Sequence, residues 1–412
     1  MTDPAHALSA RPWLALQATL GVQLLATLAL SAAPVLAPAV APQLGLPPER
    51  VGLFTGTAYL FAMVSGLVTG NWVSRLGATR LTQLVMVAVG SGALAASFGP
   101  AVLLLAGAAL MGIGYGTVNP AAAAILGRHA PPGSPGLFFA LKQSGVPIGV
   151  ALSGLLVPIG LVTLGWRGTV WAIAAACLLA AALLLPVVAR LDPEARDSSG
   201  SASTWLRTLQ AVLRHPGLRR LSIVSFAYAM AQQGFLTFSV SLLTLQLGLP
   251  LAVAAALLAA SQVACTVVRI VLGHVGDRWI SPQVLLGVLG LCMAASCLAL
   301  SALPPGPALP LAALAMVAAG ATTMGWNGVY FSHLLRIVPR SELAASAGGA
   351  QFFTFAGGMA GPFLLAQLLH MGMSYSTGYV VLAALGAAAG VAMLRPLPAP
   401  PGVRLNTTTD RP

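Results

Sequence analysis

Apolar runs long enough to cross a bilayer recur along this chain from residue 13 to residue 394. A helix rises about 1.5 Å per residue, so the hydrocarbon core takes about 20 apolar residues to span. Twelve such runs can be traced, at roughly 13–40, 51–71, 81–98, 101–126, 135–160, 168–189, 218–246, 251–274, 282–303, 309–335, 343–370 and 375–394. Only 7% of the 412 residues are charged, against about 25% in a water-soluble domain. Backbone groups in lipid must be satisfied within their own segment, so each run predicts a helix. The expected fold class is an all-α membrane protein with 12 transmembrane helices.

The net charge of +12 is explained by where the charges lie. Sixteen of the 19 arginines, among them Arg75, Arg80, Arg128, Arg278 and Arg336, fall in alternate loops or at the two ends. Only Arg50 and Arg167 lie on the opposite side. This is the positive-inside bias, and it places both termini in the cytoplasm and the chain in a bacterial-type cytoplasmic (inner) membrane. The basic excess is topological, and no basic, aromatic-interleaved soluble face exists to bind nucleic acid. The first run is too long for a cleavable signal peptide and reads as the first span. Cys177, Cys265, Cys292 and Cys297 all lie in spans, as small apolar residues rather than a disulfide or metal set.

The chain repeats itself. "QLGLP" occurs at 43–47 and again at 246–250, and the same shift of 203 carries Gly70 onto Gly273 and Arg75 onto Arg278. A shift of 208 carries Asn119 onto Asn327, Arg128 onto Arg336, Gln143 onto Gln351 and Gly149 onto Gly357. Two ordered sets at nearly one offset indicate a duplication with six spans in each copy. Parallel six-helix repeats are a transporter architecture, with the substrate site between them near mid-membrane. The expected organisation is a cytoplasmic N-terminus (1–12), a first six-helix bundle (13–189), a cytoplasmic linker (190–217), a second bundle (218–394) and a cytoplasmic tail (395–412). In the linker, "TWLRTLQAVLRH" alternates apolar and basic residues at helical spacing, as a helix lying along the inner leaflet would.

The chain resembles the major facilitator superfamily over essentially its full length. That family's signature after the second helix is Gly-x-x-x-Asp-Arg/Lys-x-Gly-Arg/Lys. The first copy, "GNWVSRLGATR", keeps Gly70, Arg75 and Gly77, has Ser74 for the aspartate, and places Arg80 two positions late. The second copy, "GHVGDRWIS", keeps Gly273, Asp277 and Arg278. "GWR", 165–167, before the sixth span is a further family feature. The resemblance implies two pseudo-symmetric six-helix bundles that rock about a central site. It implies a conformational gating role for Gly70, Ser74, Arg75, Gly273, Asp277 and Arg278. Asp277 would brace the start of span five near Ser134 and Pro135, and Ser74 the start of span eleven near Ser341 and Glu342. Family antiporters carry Gly-Pro in span five, from which Gly145-Val146-Pro147 departs by one residue.

None of the eight acids lies deep in a span, whereas two cations do. Lys142, the only lysine, lies about 10 Å inside the cytoplasmic end of span five, and Arg269 about 7 Å inside that of span eight. Such residues mark substrate pathways, because burying the charge costs roughly 2.5–3.5 kcal/mol. Spans five and eight face each other in the resembling fold, so the pair is expected to hold one anionic group, Arg269 as a fork and Lys142 as a point charge. Snorkelling of both to the inner interface is the competing reading. Asn119 and Asn327, repeat partners in spans four and ten, lie about 13 Å deep and must face protein or water. Tyr115 and Trp326 lie near the same depth. Gln17, Gln23 and Thr27 in span one, and Tyr228, Gln232 and Gln233 in span seven, are further candidates for a polar lining. His274 and His333 lie near inner boundaries.

No Ser-His-Asp set, HExxH pattern or phosphate-cradling loop appears, so neither an enzyme nor a cofactor is expected. The expectation is a monomeric secondary transporter, driven by an ion gradient (a proton is the candidate) or by the substrate's own. It would move a small organic anion by alternating access, with Lys142, Arg269, Asn119, Asn327, Tyr115, Gln232 and Gln23 at the site. The alternative is efflux of hydrophobic or drug-like compounds, with both cations structural. A membrane-bound sensor or assembly factor would need a large extramembrane surface, which this sequence lacks.

Overall fold

Proline opens several helices where its missing N–H costs nothing, as at Pro12, Pro216 and Pro282. The structure, a computed structural model, describes residues 11–131, 135–191, 205–338 and 343–395. Its first half runs α1 (Pro12–Val40), α2 (Val51–Leu76), α3 (Ala78–Ser97), α4 (Ala101–His129), α5 (Pro135–Gln143), α6 (Gly145–Leu183) and α7 (Leu185–Leu191). The second half runs α8 (Trp205–Arg214), α9 (Pro216–Ser241), α10 (Leu251–Arg278), α11 (Pro282–Ser301), α12 (Leu309–Ile337), α13 (Leu343–His370) and α14 (Tyr375–Leu394). Among the described residues there is no strand, so the molecule is all-α.

Among the described residues, ten helical stretches are long and apolar enough to cross a membrane. One of them, Leu137–Val188, holds 52 residues and is two spans joined at Gly165, whose φ of 70° breaks the helix. The remaining span is α9, not counted among the ten because Gln232, Gln233 and several serines dilute its hydropathy. Twelve crossings result. Span five is itself split between α5 and α6, because Pro147 has no N–H to give the carbonyl of Gln143.

In the first half α3 and α2 pack on α4, and α1 and α3 pack on α6; in the second, α11 packs on α14, α10 on α12 and α9 on α13. Between the halves, α2 meets α13, α6 meets α10 and α1 meets α9. Span two against eleven and span five against eight are one pairing with the copies exchanged, as a duplicated chain requires. Lipid supplies no hydrophobic drive between helices, so small residues set how closely they approach. A β-carbon on Gly149 would lie 2.6 Å from the carbonyl oxygen of Leu24, so only glycine lets α1 seat this tightly on α6.

The halves press together toward the arginine-poor side. There the short helix Pro48–Arg50 packs on α13, and a β-carbon on Gly52 would meet the carbonyl of Pro362 at 2.5 Å. On the arginine-rich side, a β-carbon on Gly70, Gly127 or Gly273 would meet nothing within 4 Å beyond its own helix backbone among the described residues. The expected surface helix is α8, which rests on α13 and α9 with Val212 fully buried. The N-terminal ten residues, the rest of the linker (192–204) and the tail beyond 395 lie outside the described residues.

Candidate functional site

Where the halves meet at mid-depth, side chains from eight helices enclose a cavity of about 710 Å³, counting its open mouth. Asn119 and Tyr115 come from α4, Gln143 from α5, Gln232 and Gln233 from α9, Arg269 from α10, Trp326 and Asn327 from α12, and Gln351 and Phe355 from α13. Both repeat-related pairs, Asn119 with Asn327 and Gln143 with Gln351, therefore converge on one space. Among the described residues, no carboxylate lines it. Tyr59 and Tyr115, with ring centroids 5.9 Å apart, and Phe355, 6.0 Å from Tyr59, form an aromatic cluster across the halves. Beyond Tyr59 and Tyr115 a smaller extension of about 440 Å³ continues among Thr27, Thr55, Gln233, Thr237 and Leu258.

Arg269 is half-buried and lines the cavity. Its Nε and one terminal nitrogen donate to the carbonyl oxygen of Met324, at 3.2 and 3.1 Å. The other terminal nitrogen has no protein partner among the described residues. The guanidinium is thus held from α12 with donors to spare, and it does not reach away to an interface.

Lys142 is placed differently from the expected direct grip on an anion. It is fully buried and does not line the cavity. Its Nζ donates to Gln23 Oε1 at 2.6 Å, Asn119 Oδ1 at 2.5 Å and Gln143 Oε1 at 3.3 Å. An ammonium has three donors, and all three are used. Hydrogen bonds to a charged group contribute about 1.5–3 kcal/mol each, enough to offset the roughly 2.5–3.5 kcal/mol of placing lysine in a span. The sequence builds this locally. The break at Ser144 frees the end of α5, and Gly145 and Gly149 admit α1 closely enough to bring Gln23 to the ammonium.

This arrangement polarises the amides. With its oxygen held by Lys142, Asn119 keeps an amide N–H₂ with no protein partner among the described residues; so does Gln143. Asn327 is held the other way. Its Nδ2 donates to Gln232 Oε1 at 3.2 Å and to the Met324 carbonyl at 3.3 Å, leaving its oxygen with no protein partner among the described residues. Gln232 Oε1 also accepts from Trp326 Nε1 at 3.0 Å. The first half thus offers these two amide donors to the cavity, and the second offers Arg269 and the Asn327 oxygen, beside the amides of Gln233 and Gln351.

Other sequence candidates fall elsewhere. Gln23 is buried behind the wall and donates to Thr27 Oγ1 at 3.2 Å. Gln17 is exposed on the outside of α1. Tyr228 is fully buried and donates to the Leu286 carbonyl at 2.6 Å, away from the cavity. His274 is exposed against Trp279, and His333 is buried in α12; neither lines the cavity. In the gating set, Gly70, Arg75 and Arg278 are exposed, and Gly273 is partly exposed. Ser74 Oγ donates to the Asn71 carbonyl of its own helix at 2.9 Å. Ser134, Ser341, Glu342 and the side chains of Pro135 and Asp277 lie outside what the structure describes. Sequence reasoning missed Tyr59, Thr354 and Phe355, which carry no charge and repeat no motif. The signal for Tyr59 was its hydroxyl in an apolar run, one of only six tyrosines.

A search of curated proteins finds no match to the chain. Among solved structures the fold is similar to a bacterial homolog of the human lysosomal transporter Spinster in an inward-facing, unoccupied conformation. That likeness has a TM-score of 0.71 and 17% identity, over 93% of this chain and 95% of that one. A mutant of the nucleoside transporter NupG gives a TM-score of 0.76 at 15% identity, over 92% of this chain and 98% of that one. A D-xylose-proton symporter gives 0.70 at 18%, over 93% and 97%. The family model of the Major Facilitator Superfamily matches residues 19–362. The chain belongs to the Major Facilitator Superfamily: it is a multi-pass membrane transporter and not an enzyme.

Proposed function

We propose that this transporter moves a small organic anion, one that also carries a hydrogen-bond donor, through the central cavity by alternating access. One observation supports this above the rest: the cavity holds the guanidinium of Arg269, with the ammonium of Lys142 one side chain behind, and among the described residues no carboxylate lines it. Two cations in a low-dielectric setting focus a positive field on the cavity and raise the local concentration of anions. Arg269 supplies the charge contact. The free amide nitrogens of Asn119 and Gln143 donate to the other anionic oxygens. The free oxygen of Asn327 accepts from a hydroxyl or amine, and Tyr115, Gln232 and Trp326 shape the wall. Lys142 and Gln23 act through Asn119 and Gln143 as positioning residues. The closed arginine-poor side and open arginine-rich side correspond to an inward-open state, with both termini in the cytoplasm of a bacterial-type inner membrane. Gly70, Ser74, Arg75, Gly273, Asp277 and Arg278 would sit at the moving inner seam.

The chain works as a monomer of two six-helix bundles, 13–189 and 218–394, with a proton as the candidate coupling ion; one proton-coupled symporter is among the similar folds. Efflux of hydrophobic compounds is the second reading, favoured by the aromatic cluster of Tyr59, Tyr115 and Phe355. The test is uptake of labelled hydroxy- and amino-acids into vesicles carrying the purified protein, against their neutral amides. Saturable uptake of the acids alone supports the proposal. Saturable movement of apolar dyes with no uptake of acids supports efflux.

A further inference from the structure

Of the two arginines that break the charge bias, Arg50 lines a second cavity, and Arg167 adjoins Trp166, which lines the same cavity. It lies toward the arginine-poor end of the first bundle and has a volume of about 1060 Å³, counting its open mouth. Its walls come from α1, α2, α3, α4 and the second part of α6, with Ala33, Ala37, Leu104, Met111, Val170 and Ile173 among them. Among the described residues, Arg50 is the only charged one in the lining. Trp166 also lines it, and the guanidinium of Arg167 stands 4.6 Å from the centre of a Trp166 ring. Arg167 Nε donates to the Ser97 carbonyl at 3.3 Å, at the end of α3. Both guanidinium-bearing residues are exposed. This cavity shares no lining residue with the central cavity or its extension.

We propose that this cavity is a binding site for an anionic phospholipid of the outer leaflet, one acyl chain inside and the phosphate between Arg50 and Arg167. An apolar space of this size does not hold water well, since a buried water needs two to four polar partners. A chain of methylenes needs none, and it restores the dispersion contacts that the lining of an empty space forfeits. Leu44, Leu46, Arg50 and Ala101 of the lining lie at or beside helix ends, the level of the headgroups, and the charge there is of one sign. Arginine suits phosphate, because its planar fork binds two oxygens at once. Glu49, the neighbouring acid, does not line the space. The site is independent of the substrate proposed for the central cavity.

Trp166 makes the proposal measurable. The full-length protein in non-ionic detergent is titrated with phosphatidylglycerol brominated on its chain, and tryptophan fluorescence is followed. Bromine quenches only an indole it touches. The expected result is saturable quenching at about one lipid per chain, lost in Trp166→Phe. It weakens about tenfold in the double variant Arg50→Gln, Arg167→Gln, and about tenfold when brominated phosphatidylcholine replaces phosphatidylglycerol. Ala37→Phe fills the space and abolishes the quenching, its folding checked by circular dichroism. The exposed arginine variants and the lipid comparison read out even where Ala37→Phe fails to fold. Quenching that never saturates, that survives in a folded Ala37→Phe, or that is equal for the two lipids overturns the proposal.

Discussion

The ammonium of Lys142 donates to Asn119 Oδ1 at 2.5 Å, yet only Asn119 borders the central cavity. The cation therefore acts by one remove. It fixes which end of the amide the cavity meets, and it adds its charge through a single side chain. Removing the ammonium alone leaves the buried oxygen of Gln23 and that of Asn119 without their donor, and a buried polar group so stranded costs about 1–3 kcal/mol. Lys142→Met is accordingly expected to lower the thermal unfolding midpoint in detergent, while the KM for an anionic substrate rises about tenfold or more. A lowered midpoint with an unchanged KM would mean that Lys142 serves packing alone.

Gly149 sets the distance between α1 and α6. A β-carbon there falls 2.6 Å from the Leu24 carbonyl and 2.8 Å from Thr27 Cβ. Overpacking a tight interface costs typically 1–3 kcal/mol. Gly149→Val should lower the unfolding midpoint and draw Gln23 away from Lys142. Transport should then fall further than in Gln23→Ala, which removes only the amide. Equal transport in Gly149→Val and the unaltered protein would show that this helix contact does not hold the site.

Phe355 faces Tyr59 and Tyr115 across the halves, and Thr237 lies in the extension on the far side of those tyrosines. In a chain freed of its four native cysteines, Thr237→Cys reports access from outside. An impermeant thiol reagent applied to the arginine-poor face should label it slowly. Adding Phe355→Ala removes an aromatic contact of about 0.5–1.5 kcal/mol and should speed labelling several-fold. Unchanged labelling would place the closure elsewhere, at contacts such as Gly52 against Pro362.

Charge and span length were readable in the sequence because each follows a one-dimensional rule. The arginine bias, the paired "QLGLP" segments and the repeat shift of Asn119 onto Asn327 foretold the two halves, and both asparagines reach one cavity. Span seven was legible as a span, though its glutamines dilute its hydropathy, because flanking arginines mark its start. The direction of a side chain was not legible. Nothing in "ALKQSG" says that Lys142 turns into its own bundle toward Gln23, since that depends on how closely α1 approaches, a contact 119 residues away. Tyr228 was hidden for the same reason: its hydroxyl reaches α11, 58 residues on. The aromatic cluster joins three helices and leaves no local pattern at all.

Arg269 bears the central claim, because among the described residues it is the one charge in the cavity wall. The most direct measurement is uptake of a labelled organic anion by vesicles containing Arg269→Gln, Arg269→Lys or the unaltered protein, with a neutral analogue as control. The loss of a charge-assisted pair at a site that excludes water costs about 2–5 kcal/mol. The account predicts at least a thirtyfold (about 2 kcal/mol) loss of kcat/KM for the anion in Arg269→Gln. It also predicts partial recovery in Arg269→Lys and little change for the neutral compound. Anion uptake in Arg269→Gln equal to that of the unaltered protein would contradict it.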